Sequence, residues 1–368
     1  MATKSTETQQ NVRKKRKKSK KGSKRIILFV IEMIILVVLL IVLYGVLKVD
    51  KVDKIAIDKE DIVVNEHVVN NVELKGYRNI ALFGVDSRDQ SLGKGNRTDT
   101  IMIASLNADT KEVKLLSVYR DTYLNLGNDK YNKCNGAYAQ GGPEQAINML
   151  NMNLDLNIED YITIGFTGLI DVIDAIGGVE INVLEEEIRH LNNYQISMVG
   201  TSTDGKTFVA QEGKDYIPVT TAGPQTLNGL QATAYCRIRY VGDDFMRTQR
   251  QRDVLSLVLE KAKTVNPTTL NKILDKALPN VSTSLDIDEM VEVLSEVSQY
   301  SIVGNDGFPF EEYRSTGNLG GNVGSAVIPV DLQANVRRLH QFLFNANDYE
   351  LSEEVITYSQ KISADTGR

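Results

Sequence analysis

Apolar residues in this chain gather into short runs separated by turn-forming residues. Residues 80–85, 101–106 and 113–118 are runs of this kind, bounded by Asn, Asp and Gly, and they read as buried strands. The turn Asn107-Ala108-Asp109-Thr110 folds the second run back onto the third. Residues 161–165 and 179–183 form two more short strands. Between these, Phe166, Leu169, Ile170, Ile173 and Ile176 recur at helical spacing, which predicts an apolar-faced helix over 167–176 stopped by Gly177-Gly178. Pro143, after Gly141-Gly142, suits the first turn of a helix reaching to about residue 154. Strands alternating with helices imply an α/β domain with a mixed central sheet covered by helices on both faces (α-β-α).

The second half is less regular. Residues 185–217 are polar and include GTSTDGKTF, which predicts an exposed, irregular insertion. Residues 223–229 are expected to turn into a helix or a short bend. Over 235–240, Tyr235, Arg237 and Arg239 alternate with Cys236, Ile238 and Tyr240, a period of two that predicts a strand with both arginines on one face. Asp243-Asp244 then caps a helix on which Arg247, Arg250 and Gln251 share a face. Beyond Pro267, helix-like segments at 270–278, 287–297 and 332–344 predict a helical C-terminal cover, followed by a polar, loose tail from 349 to 368.

Charge changes the picture at the N-terminus. Residues 1–25 hold eleven Lys/Arg against Glu7, so this +10 tail leaves about −16 on the rest of a chain whose total is −6. Residues 26–47 are apolar apart from charged Glu32, and at 1.5 Å per residue they would span roughly 33 Å, enough to cross a bilayer. The stretch is long for a signal peptide and has no small-residue cleavage site. With the Lys/Arg cluster on its N-terminal side, the positive-inside rule predicts a cytoplasmic N-terminus, a single-pass membrane helix and an extracellular remainder. The expected layout is therefore a basic tail (1–25), a transmembrane helix (26–47), a stalk (48–75), a main α/β domain (76–265), a helical region (266–348) and the tail (349–368).

Chemistry enters where the apolar runs stop. The first strand delivers Asp86 and Arg88, the second starts from Arg97, Asp99 and Thr100, and the third ends in Arg120-Asp121. Charges at strand ends border a crevice, where α/β enzymes place their sites. Carboxylates suit a hard cation such as Mg²⁺ (or Mn²⁺), and guanidinium groups suit phosphate. Intramolecular pairing of Arg97, Arg120, Arg237, Arg239, Arg247 and Arg250 with these aspartates is the competing reading, and spacing alone leaves both open. The three histidines show no ligand spacing, so neither zinc nor a Ser-His-Asp triad is indicated. Cys134 and Cys236 could form one bridge or remain buried thiols, and the second is expected. The basic tail beside an apolar run reads as a topology signal meeting anionic lipid rather than as a nucleic-acid binder.

The segments NIALFGVDSR, NRTDTIMIASL, LLSVYRDTYL, NGAYAQGG, DAIGGVEINV, LNGLQATAYCRIR and the D-D-x-x-R-x-x-R-Q run, in that order, resemble the LytR-CpsA-Psr family. The resemblance covers about residues 76–263. It implies an Mg²⁺-dependent phosphotransferase that moves a polyprenyl-pyrophosphate-linked glycopolymer, such as teichoic acid or capsule, onto peptidoglycan, with the lipid pyrophosphate as the leaving side. Lipid pyrophosphatase activity is implied as a side reaction. Position by position, it makes Asp86 and Asp99 the metal-linked aspartates and Arg97 and Arg120 loop arginines. Arg237, Arg239, Arg247 and Arg250 match pyrophosphate contacts, with Gln251 beside them. The apolar helix over 167–176 reads by default as ordinary core; with a lipid substrate, Phe166, Ile170 and Ile173 would instead line a hydrophobic tunnel. Some family members carry the label transcriptional attenuator, so a membrane-bound regulator and a non-catalytic polyprenyl-phosphate binder are the alternatives. Tyr119 stands where the family usually has Pro, and Cys134 where an aliphatic residue is usual.

Overall fold

The computed structural model describes residues 57–86, 91–127, 129–202, 204, 207–265, 269, 275–276, 278–286, 288–290, 296 and 298–368. The expected basic tail and transmembrane helix, the start of the stalk, Arg88, and most of the helices expected at 270–278 and 287–297 lie outside these residues. Among the described residues no helix is long and apolar enough to cross a membrane.

A six-stranded mixed sheet is central, ordered β10 (Ser301–Phe308), β3 (Glu112–Val118), β2 (Thr98–Asn107), β1 (Tyr77–Val85), β6 (Asp160–Gly165) and β9 (Val281–Thr283), while β4 (Tyr123–Asn125) and β5 (Tyr131–Lys133) pair as a separate hairpin. Strands β1, β2 and β3 form an antiparallel meander. Strand β6 joins β1 in parallel, β10 joins β3 in parallel, and β9 closes the far edge against β6. Alternation along the strands sorts the two faces. Ala81, Phe83, Val85, Ile101, Ile103, Leu116 and Val118 pack with helix Asn135–Leu154 and the C-terminal helices Leu332–Phe344 and Glu353–Thr366. Ile80, Leu82, Ala104, Leu106, Val113 and Leu115 face the other way, toward Leu255 of helix Asp244–Ala262. Both faces are covered, so the strands read as near-continuous apolar runs.

Beside this body sits a smaller cluster. Helices Phe166–Ala175, Glu185–Val199 and Gly229–Tyr235 pack with a two-stranded sheet of β7 (Val179–Val183) and β8 (Gly223–Leu227). The start of helix Gly229–Tyr235 approaches helix Phe166–Ala175 so closely that a Cβ on Gly229 would lie 2.2 Å from the Ile170 carbonyl oxygen, which only glycine avoids.

Several expectations need correcting. Residues 185–199 are a helix, not an irregular insertion; Ile188, Leu191, Gln195 and Met198 recur at helical spacing, and the Glu187 carboxylate accepts from the Leu184 N–H at 2.9 Å as an N-terminal cap. Residues 223–227 are a strand. Residues 229–235 are a helix, capped by Asn228 and Gln231, so the period-two strand across 235–240 does not form. The 135–154 helix begins before Pro143; Gly142, at φ 72°, kinks it, and Pro143 sits just after the kink as a helix-compatible residue. The region after 265 is no purely helical cover, since it supplies both edge strands of the central sheet and the hairpin of β11 (Arg314–Asn318) with β12 (Ser325–Pro329). The tail is ordered as helix Glu353–Thr366, started by Ser352, with Val355, Ser359 and Ile362 buried.

Candidate functional site

Three neighbouring strands deliver charge to one edge of the sheet. Strands β1 and β3 both run antiparallel to β2, so the C-terminal ends of β1 and β3 lie beside the N-terminal end of β2. Asp86 directly follows β1, and Arg120 follows β3 after Tyr119. Register places Gly84 opposite Thr100 and Val85 opposite Thr98, so Asp99 is the extra residue of a β-bulge. Bulges re-aim side chains, and this one turns Asp99 toward the cavity described below. Gly84 is required there, because a Cβ would meet the Thr100 side chain at 2.9 Å.

The arginines arrive from the other side. Arg237 and Arg239 flank fully buried Ile238 in the segment after helix Gly229–Tyr235, so the expected common direction holds without a strand. Arg247 and Gln251 are one helical turn apart on helix Asp244–Ala262, whose N-cap Asp243 accepts from the Met246 N–H at 3.0 Å. These residues meet the aspartates. Arg237 Nη2 lies 3.2 Å from Asp86 Oδ2, and Arg120 Nη1 contacts Asp99 Oδ1, with Arg239 Nη2 3.8 Å from the same oxygen. The Arg237 guanidinium lies over the rings of Phe166 and Tyr194, at 4.7 and 5.6 Å from their centres.

Behind this cluster a cavity of about 520 Å³ runs between the sheet and helix Asp244–Ala262. Its walls are apolar: Ile80, Leu82, Ala104 and Leu115 from the sheet, and Val254, Leu255 and Val258 from the helix. Asp99, Arg237, Arg239, Arg247 and Gln251 line the same cavity, and Phe166 contributes to it. Ile170 and Ile173 are not among its lining residues, and Ile173 packs in the smaller core.

Arg247 is the anomaly. It is 2% exposed and makes one ion pair, from Nη2 to Asp244 Oδ2 at 3.0 Å, while its Nε and Nη1 have no hydrogen-bond partner. Burial, opposed by Asp244 but reinforced by Arg120 and Arg239, lowers its pKa to about 10. Gln251 also leaves its Oε1 buried and unpartnered. Buried donors are ordinarily satisfied, so the orphaned guanidinium N–H groups of this cavity-lining residue call for a partner. Arg120 differs. Burial pulls its pKa down, but Asp99, Asp121 and Asp244 outweigh that and leave it raised.

The remaining expected residues are placed otherwise. Arg250 does not line the cavity; its Nε donates to Glu187 Oε1 at 2.8 Å, with both side chains buried, and its Nη atoms donate to the Ile238 and Val241 carbonyls. It ties helix Glu185–Val199 to the loop carrying the arginines. Arg97 lines a second, smaller cavity with Lys133 rather than the apolar one. Tyr119, in the place of a usual proline, donates its backbone N–H to the Phe308 carbonyl at 3.0 Å, a bond proline cannot make. Its buried ring packs edge-on against Phe245 at 4.6 Å, and its hydroxyl accepts from Arg314 at 3.0 Å, which fixes the strand end just before Arg120. Cys134 and Cys236 are both free and buried.

Sequence reasoning missed Glu187, Tyr194 and the Phe245–Arg314 buttress. Only Glu187 carried a local signal, at the third position of a capped helix.

Among the described residues no three His, Cys, Asp or Glu side chains cluster as a ready-made metal site. Magnesium, however, commonly takes only one or two protein carboxylates and completes its shell with substrate phosphate and water. The arginines occupy Oδ2 of Asp86 and Oδ1 of Asp99, and the other oxygen of each carboxylate has no ion-pair partner among the described residues. That donor set fits Mg²⁺ arriving with a phosphate ligand.

Comparison with known proteins decides the family. The chain matches the LytR_cpsA_psr family over residues 41–322, well over half its length. The protein belongs to this family. A teichoic acid transferase TagU of Enterococcus faecalis (strain ATCC 700802 / V583), described as polyisoprenyl-teichoic acid–peptidoglycan teichoic acid transferase, is 31% identical over 227 residues, which is 61% of this chain and 66% of the relative. The chain therefore spans just under two thirds of that relative's length. Among solved structures, TagT bound to LI-WTA superposes with a TM-score of 0.58 at 22% identity, covering 77% of this chain and 96% of that one. A LytR-CPS2A-psr family protein, YwtF (TagT), with bound octaprenyl pyrophosphate lipid gives a TM-score of 0.54 at 20% identity, covering 77% and 95%. These two establish the shared α/β fold.

Proposed function

We propose that this protein is an extracytoplasmic phosphotransferase that moves a polyprenyl-pyrophosphate-linked glycopolymer, of the teichoic acid or capsular type, onto peptidoglycan. The observation that carries this reading is the apolar cavity lined by Arg247, whose Nε and Nη1 are buried without a hydrogen-bond partner, together with Arg237, Arg239 and Asp99. An isoprenoid tail needs apolar walls, and a pyrophosphate needs fixed guanidinium donors. The relatives' names and bound ligands point the same way.

In this reading an acceptor sugar hydroxyl attacks the phosphorus on the glycan side of the pyrophosphate. The P–O–P bridge breaks, a phosphodiester forms to the acceptor, and polyprenyl phosphate leaves. Arg237, Arg239 and Arg247 hold the phosphate oxygens, and Gln251 orients them. Arg120, fixed to Asp99, aligns that carboxylate to take the hydroxyl proton. Asp86 and Asp99 would hold Mg²⁺, which when bound offsets the phosphate charge that the site's own paired charges leave uncompensated. Arg250 serves as a positioning residue through Glu187 and the Ile238 and Val241 carbonyls. Water in place of the sugar hydroxyl would give slow hydrolysis of the lipid pyrophosphate. The apolar run at 26–47 and the basic residues before it support a single-pass membrane anchor with the N-terminus in the cytoplasm.

The test is reconstitution. The full chain in detergent is incubated with a polyprenyl-pyrophosphate-linked glycan, peptidoglycan oligomers and Mg²⁺, beside Asp99→Asn and a chelated control. Polymer joined to the acceptor only in the intact, metal-supplied sample supports the reading. Equal lipid binding by both proteins with transfer by neither would reduce the protein to a carrier.

A further inference from the structure

The smaller cavity has no part in the chemistry above. It measures about 220 Å³ and is lined by Arg97, Asn132, Lys133, Asn135, Gln140 and Asn322 over a floor that includes Leu126 and Val323. It shares no lining residue with the apolar cavity. Four carboxamides and two cations around an aliphatic floor are a distinctive set. Carboxamides both donate and accept, which suits hydroxyl and acetamido groups; the aliphatic floor suits a sugar ring's apolar face; the cations suit a carboxylate. The cavity is also joined to the reacting end of the larger one. Lys133 Nζ lies 3.5 Å from Asp121 Oδ1, the Arg120 Nε lies 3.8 Å from Asp121 Oδ2, and the Asn135 N–H donates to the Arg120 carbonyl at 3.1 Å. Arg120 in turn grips Asp99. Arg97 stands two residues before Asp99, so its side chain and that carboxylate leave the same bulged segment toward different cavities.

We infer that this second cavity is the acceptor subsite, which binds an N-acetylated amino-sugar glycan carrying a carboxylate. The inference rests on the transferase reading, since a two-substrate reaction needs two places, and the pair of cavities on either side of Arg120–Asp121 supplies them. Bound there, the glycan sets its hydroxyl against Asp99, while the donor's lipid tail occupies the apolar cavity. A donor sugar is the other source of the same chemistry. It is disfavoured because it is tethered to the pyrophosphate, whereas the second cavity stands apart from the lipid-lined one.

The test uses the full chain in detergent and three titrations on each protein. The probes are a lipid-free N-acetylglucosaminyl–N-acetylmuramic acid disaccharide, bare polyprenyl pyrophosphate and a glycan-bearing polyprenyl pyrophosphate, and the variants are Gln140→Ala/Asn322→Ala and, separately, Asn132→Ala. Gln140 and Asn322 are exposed, so the double variant tests recognition with little risk to folding. The expected result is disaccharide binding weakened about tenfold or more in the double variant, a loss on the scale of one or two hydrogen bonds, with polyprenyl pyrophosphate affinity held. Neutral N,N′-diacetylchitobiose should bind the intact protein more weakly than the acidic disaccharide. Unchanged disaccharide binding in both variants, or none in the intact protein, overturns the assignment. So does an affinity loss confined to the glycan-bearing donor, which would give the cavity to the donor's sugars. Failure of the intact protein to bind polyprenyl pyrophosphate would instead sink the transferase reading itself.

Discussion

Arg247→Met should stabilise the empty protein while removing its ligand response. Arg247 is 2% exposed, with one ion pair and two unpartnered N–H groups, and its pKa is held at about 10 against an ordinary 12.5. A displacement of that size corresponds to roughly 3 kcal/mol of penalty on the charged form at about 1.4 kcal/mol per pH unit. The sign follows from linkage. The folded protein holds this proton less tightly than the unfolded chain, so below pH 10 the whole penalty is present, and it is relieved only as pH rises from about 10 through the ordinary value. Methionine keeps the aliphatic volume and removes the charge, and Asp244 stays partly solvated at a helix N-terminus that favours it. Replacing a buried ion by a well-packed hydrophobe commonly gains about 1–4 kcal/mol. Thermal unfolding of the full chain in detergent at neutral pH should therefore rise by about 3–6 °C. Added pyrophosphate with Mg²⁺ should raise the unfolding temperature of the intact protein and leave that of the variant unmoved. An unfolding temperature that falls, or a variant that still responds to pyrophosphate, would refute the idea that Arg247 is strained in order to receive an anion.

Three other outcomes follow from the packing. Arg250→Met leaves Glu187 buried and unpaired and should cost about 3–5 kcal/mol of stability, read by denaturant unfolding, whereas Arg250→Met/Glu187→Leu should recover much of that loss. Ala104→Phe fills the apolar cavity from the sheet side and should weaken polyprenyl pyrophosphate binding by about tenfold or more, while inorganic pyrophosphate binds as before; equal loss of both would mean a damaged fold. Burial pushes the Cys236 thiol up to about 12 and Cys134 higher still, so neither should react with a thiol reagent at pH 8 until the protein unfolds, and prompt labelling of native protein would contradict their burial.

The meander and its charged ends were legible because both patterns are local. Apolar runs at 80–85, 101–106 and 113–118 give the strands, and antiparallel pairing alone brings Asp86, Asp99 and Arg120 to one edge. The direction of Arg237 and Arg239 was also legible, though for a partly wrong reason: a helix ends at Tyr235, and buried Ile238 orients its two neighbours. What stayed hidden was non-local. Strand β10 contains Gly304, Asn305, Asp306 and Gly307, residues that strands avoid, and it forms because β3 offers a parallel edge and Gly307 makes room for the Tyr119 hydroxyl. The distinct fates of Arg247 and Arg250 were equally out of reach. Both lie on one helix three residues apart, and only the partner brought in by helix Glu185–Val199 makes one a buttress and leaves the other open to a ligand.

The most direct measurement is a crystal structure of the protein bound to a polyprenyl pyrophosphate. The expected density places the phosphates against Arg237, Arg239 and the free Nε and Nη1 of Arg247, with the isoprenoid running between β1–β3 and helix Asp244–Ala262. Phosphates seated elsewhere, or a tail lying outside that cavity, would contradict the assignment of this site.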